Sequence, residues 1–195
     1  MLNNLLSLDR DDKKPLIRWR DSGSEAFVWA VKGYRPPENF YNRRHELAGA
    51  DLYVAYYQTN KLEHWDANPE AHKKLLKLPH KLKYDRRMKL EGKTFYWEID
   101  RGTEELDVIR GKVKAYQNFA ASVDFWFYVI FTIKATRRGT IEERCDDIIG
   151  VIQDCGTKGF QFLVARHDDI VNDPLGKVFV PANKPDGFVA LSQLS

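Results

Sequence analysis

Three acidic residues lie in a stretch of sequence whose pattern otherwise indicates two β-strands. Asp85, Glu98 and Asp100 stand among apolar and aromatic residues in "KYDRRMKLEGKTFYWEID" (83–100). Carboxylates are disfavoured within strands, and like charges on facing residues of a hairpin destabilise it. Acids crowded in this way can bind a divalent cation such as Mg²⁺, which prefers oxygen ligands. A lysine or arginine could balance the charge instead, and a solvated strand edge would need no cation.

The position of the turn decides which acids face each other. A turn at residues 91–92 places Asp85 opposite Glu98, whereas a turn at residues 92–93 places it opposite Asp100. Side chains alternate along a strand, so Glu98 and Asp100 share one face. Both registers therefore predict that Asp85 lies close to another acid.

The helix predicted after this hairpin could bring a lysine to the acids. Apolar residues recur at helical spacing within residues 103–121, at Leu106, Ile109, Val113, Tyr116 and Ala120. This pattern is typical of an amphipathic helix, with Thr103 as a candidate cap. Lys112 flanks the apolar stripe and could reach the acidic face of the hairpin. With a metal, two acids and a lysine can polarise a phosphoryl oxygen and orient water. A surface lysine whose stem packs along apolar atoms is the more frequent case.

The other segments indicate an α/β fold. Residues 45–61 and 140–156 have helical patterns, and Thr140 and Glu143 have the spacing of a capping box. The apolar run 125–133 indicates a strand buried on both faces, and 160–166 indicates another strand. Short strands near the C-terminus would lie at a sheet edge. We therefore expect a mixed central sheet with helices on both faces.

The N-terminal part of the sequence predicts a separate small element. Residues 15–20 and 25–31 flank "DSGS" as a plausible hairpin, and Pro36 and Pro37 interrupt regular structure after it. We assign residues 1–40 to this hairpin and a linker, and residues 41–195 to the main α/β domain.

The charge distribution favours a polyanionic partner such as nucleic acid, although a solvated basic face is an equal alternative. Residues 73–93 contain nine lysines and arginines against two acids, while the whole chain carries a formal charge of only +3. Candidate phosphate contacts in this region are Lys83, Arg86 and Arg87. Arg137 and Arg138 form a second basic site before the helix at 140, whose N-terminus could also face phosphate.

Several classes of protein are disfavoured by the sequence. Cys145 and Cys155 have no spacing typical of zinc ligands or of a disulfide framework, which favours a reducing cytoplasm. The first residues lack a signal-peptide pattern, and the longest apolar run is too short to span a membrane. We therefore expect a cytoplasmic protein with no membrane partner.

The segment "FYWEIDRGTEELDVIRGKVKAYQNF" (95–119) resembles the replication-relaxation family of plasmids and other mobile elements. "HELAGADLYVAY" (45–56) is similar to the helix that opens the nuclease-like domain of that family. The likeness extends over roughly residues 45–165. It implies a PD-(D/E)XK nuclease-like fold, in which a β-meander carries an Asp and then an acid-x-Lys motif before a helix.

The resemblance implies roles for four residues. Asp85 matches the first acid and Glu98 the second, so both would hold Mg²⁺ in a metal-dependent endonuclease acting on DNA. Asp100 stands where the pattern has lysine, and it would serve as a further ligand or orient Lys112. Lys112 would then replace the missing lysine and position water.

The departure at position 100 favours a second hypothesis. The domain would then be a catalytically silent module that binds DNA or a protein partner, or forms a homodimer, during plasmid replication or mobilisation. Family members often begin with a winged-helix domain, and residues 17–33 resemble only its terminal wing hairpin. A wing without its recognition helix does not by itself predict DNA binding.

Overall fold

The computed structural model describes residues 16–20, 27–31, 40–66, 82–156 and 160–194. The chain divides into two compact units, Met1–Arg44 and His45–Ser195. In the first unit, strand β1 (Leu16–Arg20) pairs antiparallel with β2 (Phe27–Val31), which confirms the predicted hairpin strands. The turn between them lies outside the described residues, as does most of the basic segment before Lys83.

The second unit contains a six-stranded mixed sheet with the strands in the order β3-β4-β5-β6-β7-β8. The strands are β3 (Leu62–Asp66), β4 (Arg86–Leu90), β5 (Lys93–Asp100), β6 (Tyr128–Ile133), β7 (Gln161–Arg166) and β8 (Val180–Pro181). Strands β5, β6 and β7 are parallel, and the other pairings are antiparallel. This confirms the predicted mixed sheet. Strand β3 was not predicted, because it is a short edge strand without buried residues and its sequence lacks a clear apolar alternation.

Helices cover both faces of this sheet. The helices are α1 (Phe40–Tyr57), α2 (Leu106–Ala120), α3 (Ile141–Cys155) and α4 (His167–Asn172). One face of β5, including Trp97, packs with Leu52 of α1 and Ile170 of α4. The other face, including Tyr96, packs with residues of α2 and α3. The expected α/β architecture is therefore confirmed, whereas its identity as a PD-(D/E)XK fold stays a prediction.

Local sequence signals fix the ends of α3 as expected but not the start of α2. Thr140 and Glu143 form the predicted capping box, and Gly156 ends α3 with a φ of 66°. Helix α2 instead begins after Glu105, so the assignment of Thr103 as its cap is wrong. Helix α4 follows directly after β7 and was not predicted.

The turn between β4 and β5 settles the register of the hairpin. Glu91 and Gly92 occupy the turn with φ values of 48° and 77°, a combination typical of the tight type I′ turn. Arg86 pairs with Trp97, and Asp85, immediately before β4, donates its backbone N–H to the Trp97 carbonyl at 2.9 Å. The first of the two alternative registers is thus the correct one.

Candidate functional site

Glu98 is a buried carboxylate on the central part of the sheet. It is only 2% exposed, and strand β5 directs it towards helix α2. Its Oε2 lies 2.8 Å from Nζ of Lys112, and its Oε1 accepts a 2.6 Å hydrogen bond from the Tyr116 hydroxyl. Burial raises the pKa of Glu98 to about 7, although the Lys112 charge offsets part of that effect. The acid can therefore change its protonation state near neutral pH.

Lys112 joins this acid to a second one. Its Nζ lies 2.8 Å from Oε2 of Glu98 and also 2.8 Å from Oε2 of Glu104. Burial opposes the positive charge of Lys112, but Glu98 and Asp85 more than compensate, so the pKa of the amine is raised. The structure thus brings Lys112 to the acidic face of the hairpin, as its place on the helix predicted.

Asp85 lies immediately before β4 and is held by two neighbours. Its Oδ1 is 3.0 Å from Nε2 of His45 on α1, and its Oδ2 accepts a 2.7 Å hydrogen bond from the Ile99 backbone N–H. Burial works against ionisation, but the bond from His45 and the Lys112 charge outweigh it and lower the pKa of Asp85. Protein groups therefore balance both crowded carboxylates, as one of the sequence alternatives allowed.

Asp100 is held by contacts that the nuclease pattern did not suggest. Its Oδ2 accepts a 2.7 Å hydrogen bond from Nε of Arg144 on α3, and its Oδ1 accepts one from the Gly102 backbone. The Arg144 guanidinium also donates to the Glu104 carbonyl at 2.7 Å. Asp100 is 4% exposed and is engaged by Arg144 rather than by Lys112. It therefore stabilises the loop after β5 and does not orient Lys112 directly.

Four residues of this network have no role in the sequence-based site. Glu104 and Tyr116 lie within the motif that carries the family resemblance, so that motif contained a usable signal. His45 begins a predicted helix and could be expected to approach the acids, although a capping or surface role is the more frequent one. Arg144 lies 44 residues from its partner Asp100, and nothing in the local sequence indicates this pairing.

The five basic residues predicted to contact DNA differ in their surroundings. Lys83, Arg137 and Arg138 are exposed, and Arg87 is half-buried. Arg86 is 4% exposed, and its guanidinium donates 2.7 Å hydrogen bonds to Glu46 and to the Asp85 carbonyl. Arg86 is thus a structural residue rather than a phosphate contact, because its donors face the interior of the fold.

The N-terminus of α3 is also unsuited to phosphate. The Thr140 side chain already accepts from the Glu143 backbone in the capping box, and Glu142 and Glu143 place negative charge in the first turn. These carboxylates occupy the end of the helix dipole that would otherwise attract an anion. Any phosphate contact in this region would fall to the exposed side chains of Arg137 and Arg138.

The part of the chain that the structure describes contains no group of three or more His, Cys, Asp or Glu side chains placed to hold a metal ion. Asp85 and Glu98 provide carboxylate oxygens of the kind that Mg²⁺ binds, and Mg²⁺ sites often use one or two protein carboxylates. None of the helices in the described part is long and apolar enough to span a membrane.

Comparison with protein families identifies the chain at the level of a family. The family model described as Replication-relaxation matches residues 32–129, which is 98 of the 195 residues. The chain belongs to the replication-relaxation family. The match includes the Asp85–Glu98 hairpin, Glu104 and Lys112, but it ends before Arg144. Membership in the replication-relaxation family indicates a role in the replication or mobilisation of plasmids or other mobile elements. No curated protein matches this family member.

Proposed function

We propose that this protein acts on DNA of a plasmid or mobile element and hydrolyses phosphodiester bonds at the cluster of Asp85, Glu98 and Lys112. The observation that carries the proposal is the position of the Lys112 amine, 2.8 Å from a carboxylate oxygen that is almost fully buried. A buried acid with a pKa near 7 is costly to maintain in a fold and is typical of reactive sites. The matched residues 32–129 include Asp85, Glu98 and Lys112, which supports a role of the cluster in DNA metabolism.

Magnesium is the cofactor that we propose for this reaction. Asp85 and Glu98 have carboxylate oxygens, the type of ligand that Mg²⁺ prefers. The same two acids already stabilise the positive charge of the Lys112 ammonium. When bound, Mg²⁺ would neutralise phosphate charge and make water easier to deprotonate. Asp85 and Glu98 would hold the ion.

The protein side chains would carry out the remaining work. Water adds to phosphorus as the bond to one ester oxygen breaks, and the products are a phosphate monoester and an alcohol. Lys112 would orient the attacking water and balance the negative charge that develops on the phosphoryl oxygens. Glu98 would remain a ligand of the ion, so the proton that water loses would pass through solvent to the departing ester oxygen. Lys83, Arg87, Arg137 and Arg138 would contact the DNA backbone, which positions the strand without reading its sequence.

One observation favours a second function, that of a silent binding module. All four carboxylate oxygens of Asp85 and Glu98 have protein partners. Asp100, which stands where the nuclease pattern has lysine, is paired with Arg144. Such a network can serve stability alone. In that case the domain would hold DNA or a protein partner during plasmid replication or mobilisation.

A cleavage assay with matched variants separates the two functions. Supercoiled plasmid DNA and single-stranded oligonucleotides are incubated with the purified full chain and Mg²⁺ or Mn²⁺, with and without EDTA. Glu98→Gln and Lys112→Met should each reduce cleavage by about 100-fold or more, the scale for loss of a group that stabilises charge at the reacting centre. Lys114→Met is the control, because Lys114 is exposed two positions along the same helix.

Three results are informative. Metal-dependent cleavage that both site variants abolish and Lys114→Met retains supports the enzyme. Salt-sensitive DNA binding without cleavage, unchanged in Glu98→Gln, supports the silent module. Cleavage that survives Glu98→Gln at the wild-type rate would contradict the proposed centre.

A further inference from the structure

Glu104 lies beside the cluster on the loop between β5 and α2. Its Oε2 and Oε2 of Glu98 are both 2.8 Å from Nζ of Lys112, so the two acids share one ammonium. The two acids differ in exposure, because the Glu98 side chain is 2% exposed and that of Glu104 is 34% exposed. Glu98 therefore contacts Lys112 from the interior, and Glu104 contacts it from the side nearer to solvent.

Three contacts hold the loop that carries Glu104. Asp100 accepts a hydrogen bond from the Gly102 backbone N–H at 3.1 Å, and Arg144 donates to the Glu104 carbonyl at 2.7 Å. At Gly102, with a φ of +64°, an added Cβ would lie 2.8 Å from the backbone nitrogen of Arg137. The loop thus packs backbone to backbone against the turn that follows β6.

An ordinary surface ion pair does not need this support. Exposed lysine–carboxylate pairs contribute little to stability, because two long side chains lose conformational freedom when they pair. Here the backbone on both sides of Gly102 is fixed by a buried Asp100–Arg144 pair, and Glu104 is presented to Lys112 from a held position. Precise placement of this kind is what a reactive lysine requires, since small displacements reduce the rate strongly.

We propose that Glu104 is a positioning residue, which fixes the Lys112 amine beside Glu98, and that Asp100 and Arg144 support it from the interior. The proposal rests on the proposed function only for the chemical task of Lys112. It also explains how Asp100, which stands where the nuclease pattern has lysine, can contribute to the site. Asp100 would act through Arg144 and the loop.

The direct test measures Lys112 and does not require catalysis. In ¹⁵N-labelled full-length protein, NMR of lysine ammonium groups reports hydrogen exchange at Nζ. Glu104→Gln should accelerate exchange at Lys112 by about tenfold, because the amine loses one of its two carboxylate partners. Glu105→Gln is the matched control, because Glu105 is the exposed neighbouring acid and has no contact with Lys112 in the described structure.

Two further measurements separate positioning from a general loss of structure. Asp100→Asn should accelerate Lys112 exchange in the same direction, and if this variant fails to fold, the half-exposed Glu104→Gln still decides the question. In the DNA cleavage assay, Glu104→Gln should lower kcat about tenfold and leave KM unchanged. Glu104→Asp should restore part of the kcat.

The outcomes distinguish the two proposals. If the wild-type protein cleaves no DNA but Glu104→Gln accelerates hydrogen exchange at Lys112, the proposed function fails and the positioning role stands. If exchange at Lys112 is the same in Glu104→Gln and in wild type, the positioning role is overturned, whatever the cleavage assay gives.

Discussion

Lys112 of α2 and Glu98 of β5 form an ion pair between the helix and the sheet, with Nζ of Lys112 2.8 Å from Oε2 of Glu98. Burial of Glu98 favours its neutral form, and the ammonium favours its ionised form. Burial prevails, since the pKa of Glu98 is about 7 rather than 4.5. The pair therefore carries a pH dependence that stability measurements can detect.

Stability should fall as pH rises from about 4.5 to 7, because the unfolded chain loses the Glu98 proton in this range while the folded protein retains it. Below that window both states are protonated, and above it both are ionised. Glu98→Gln removes this titration. Between pH 5 and pH 8, its free energy of unfolding relative to wild type should shift in favour of the variant by about 1–3 kcal/mol. Urea unfolding at a series of pH values measures this shift, and parallel curves for the two proteins would contradict it.

Arg144→Met should destabilise the fold by about 3 kcal/mol, because it leaves the Asp100 carboxylate buried without its cation. Arg138→Met is the control, since Arg138 is exposed and its side chain should contribute less than about 0.5 kcal/mol. Denaturant unfolding compares the two variants at pH 7. Equal stability of both would show that the Asp100–Arg144 pair is energetically neutral.

Two glycine substitutions should have opposite effects. Gly102→Ala should destabilise by roughly 2 kcal/mol or more, because a Cβ there meets the backbone near Arg137 and the φ is +64°. Gly111→Ala should stabilise by about 0.5–1 kcal/mol, because Gly111 is within helix α2 and a Cβ there meets no atom within 4 Å. Thermal unfolding of both variants tests this, and a stable Gly102→Ala protein would disprove the close packing of the loop.

DNA binding should depend on salt through the exposed arginines of the turn after β6. Replacing Arg137 and Arg138 together by Ala should weaken binding and reduce the slope of log affinity against log salt by up to about 2. Lys184→Ala is the control, because Lys184 is exposed near the C-terminus, away from this turn in sequence. Fluorescence anisotropy with labelled DNA at several salt concentrations gives the slopes. An unchanged slope in the double variant would place the DNA contact elsewhere.

Local patterns in the sequence were sufficient for most elements and for one part of the site. The Thr140 capping box, the helical spacing around Lys112 and the alternation in β5 depend on residues a few positions apart, and the structure contains all three. Strand β3 was missed because an edge strand buries little and leaves a weak pattern.

The sequence by itself determined that acids would gather on the β4–β5 hairpin and that Lys112 could approach them, because strand alternation and helical period act over short distances. The tertiary structure decided which partner each acid meets. Asp85 pairs with His45, Asp100 with Arg144, and Glu98 shares Lys112 with Glu104. The first two partners lie some 40 residues away along the chain, and their packing against the sheet brings them to the acids. The tertiary structure also buries Arg86, which the charge pattern had assigned to DNA. The charge pattern could not predict this burial, because a run of charges does not encode which side of a strand faces the core.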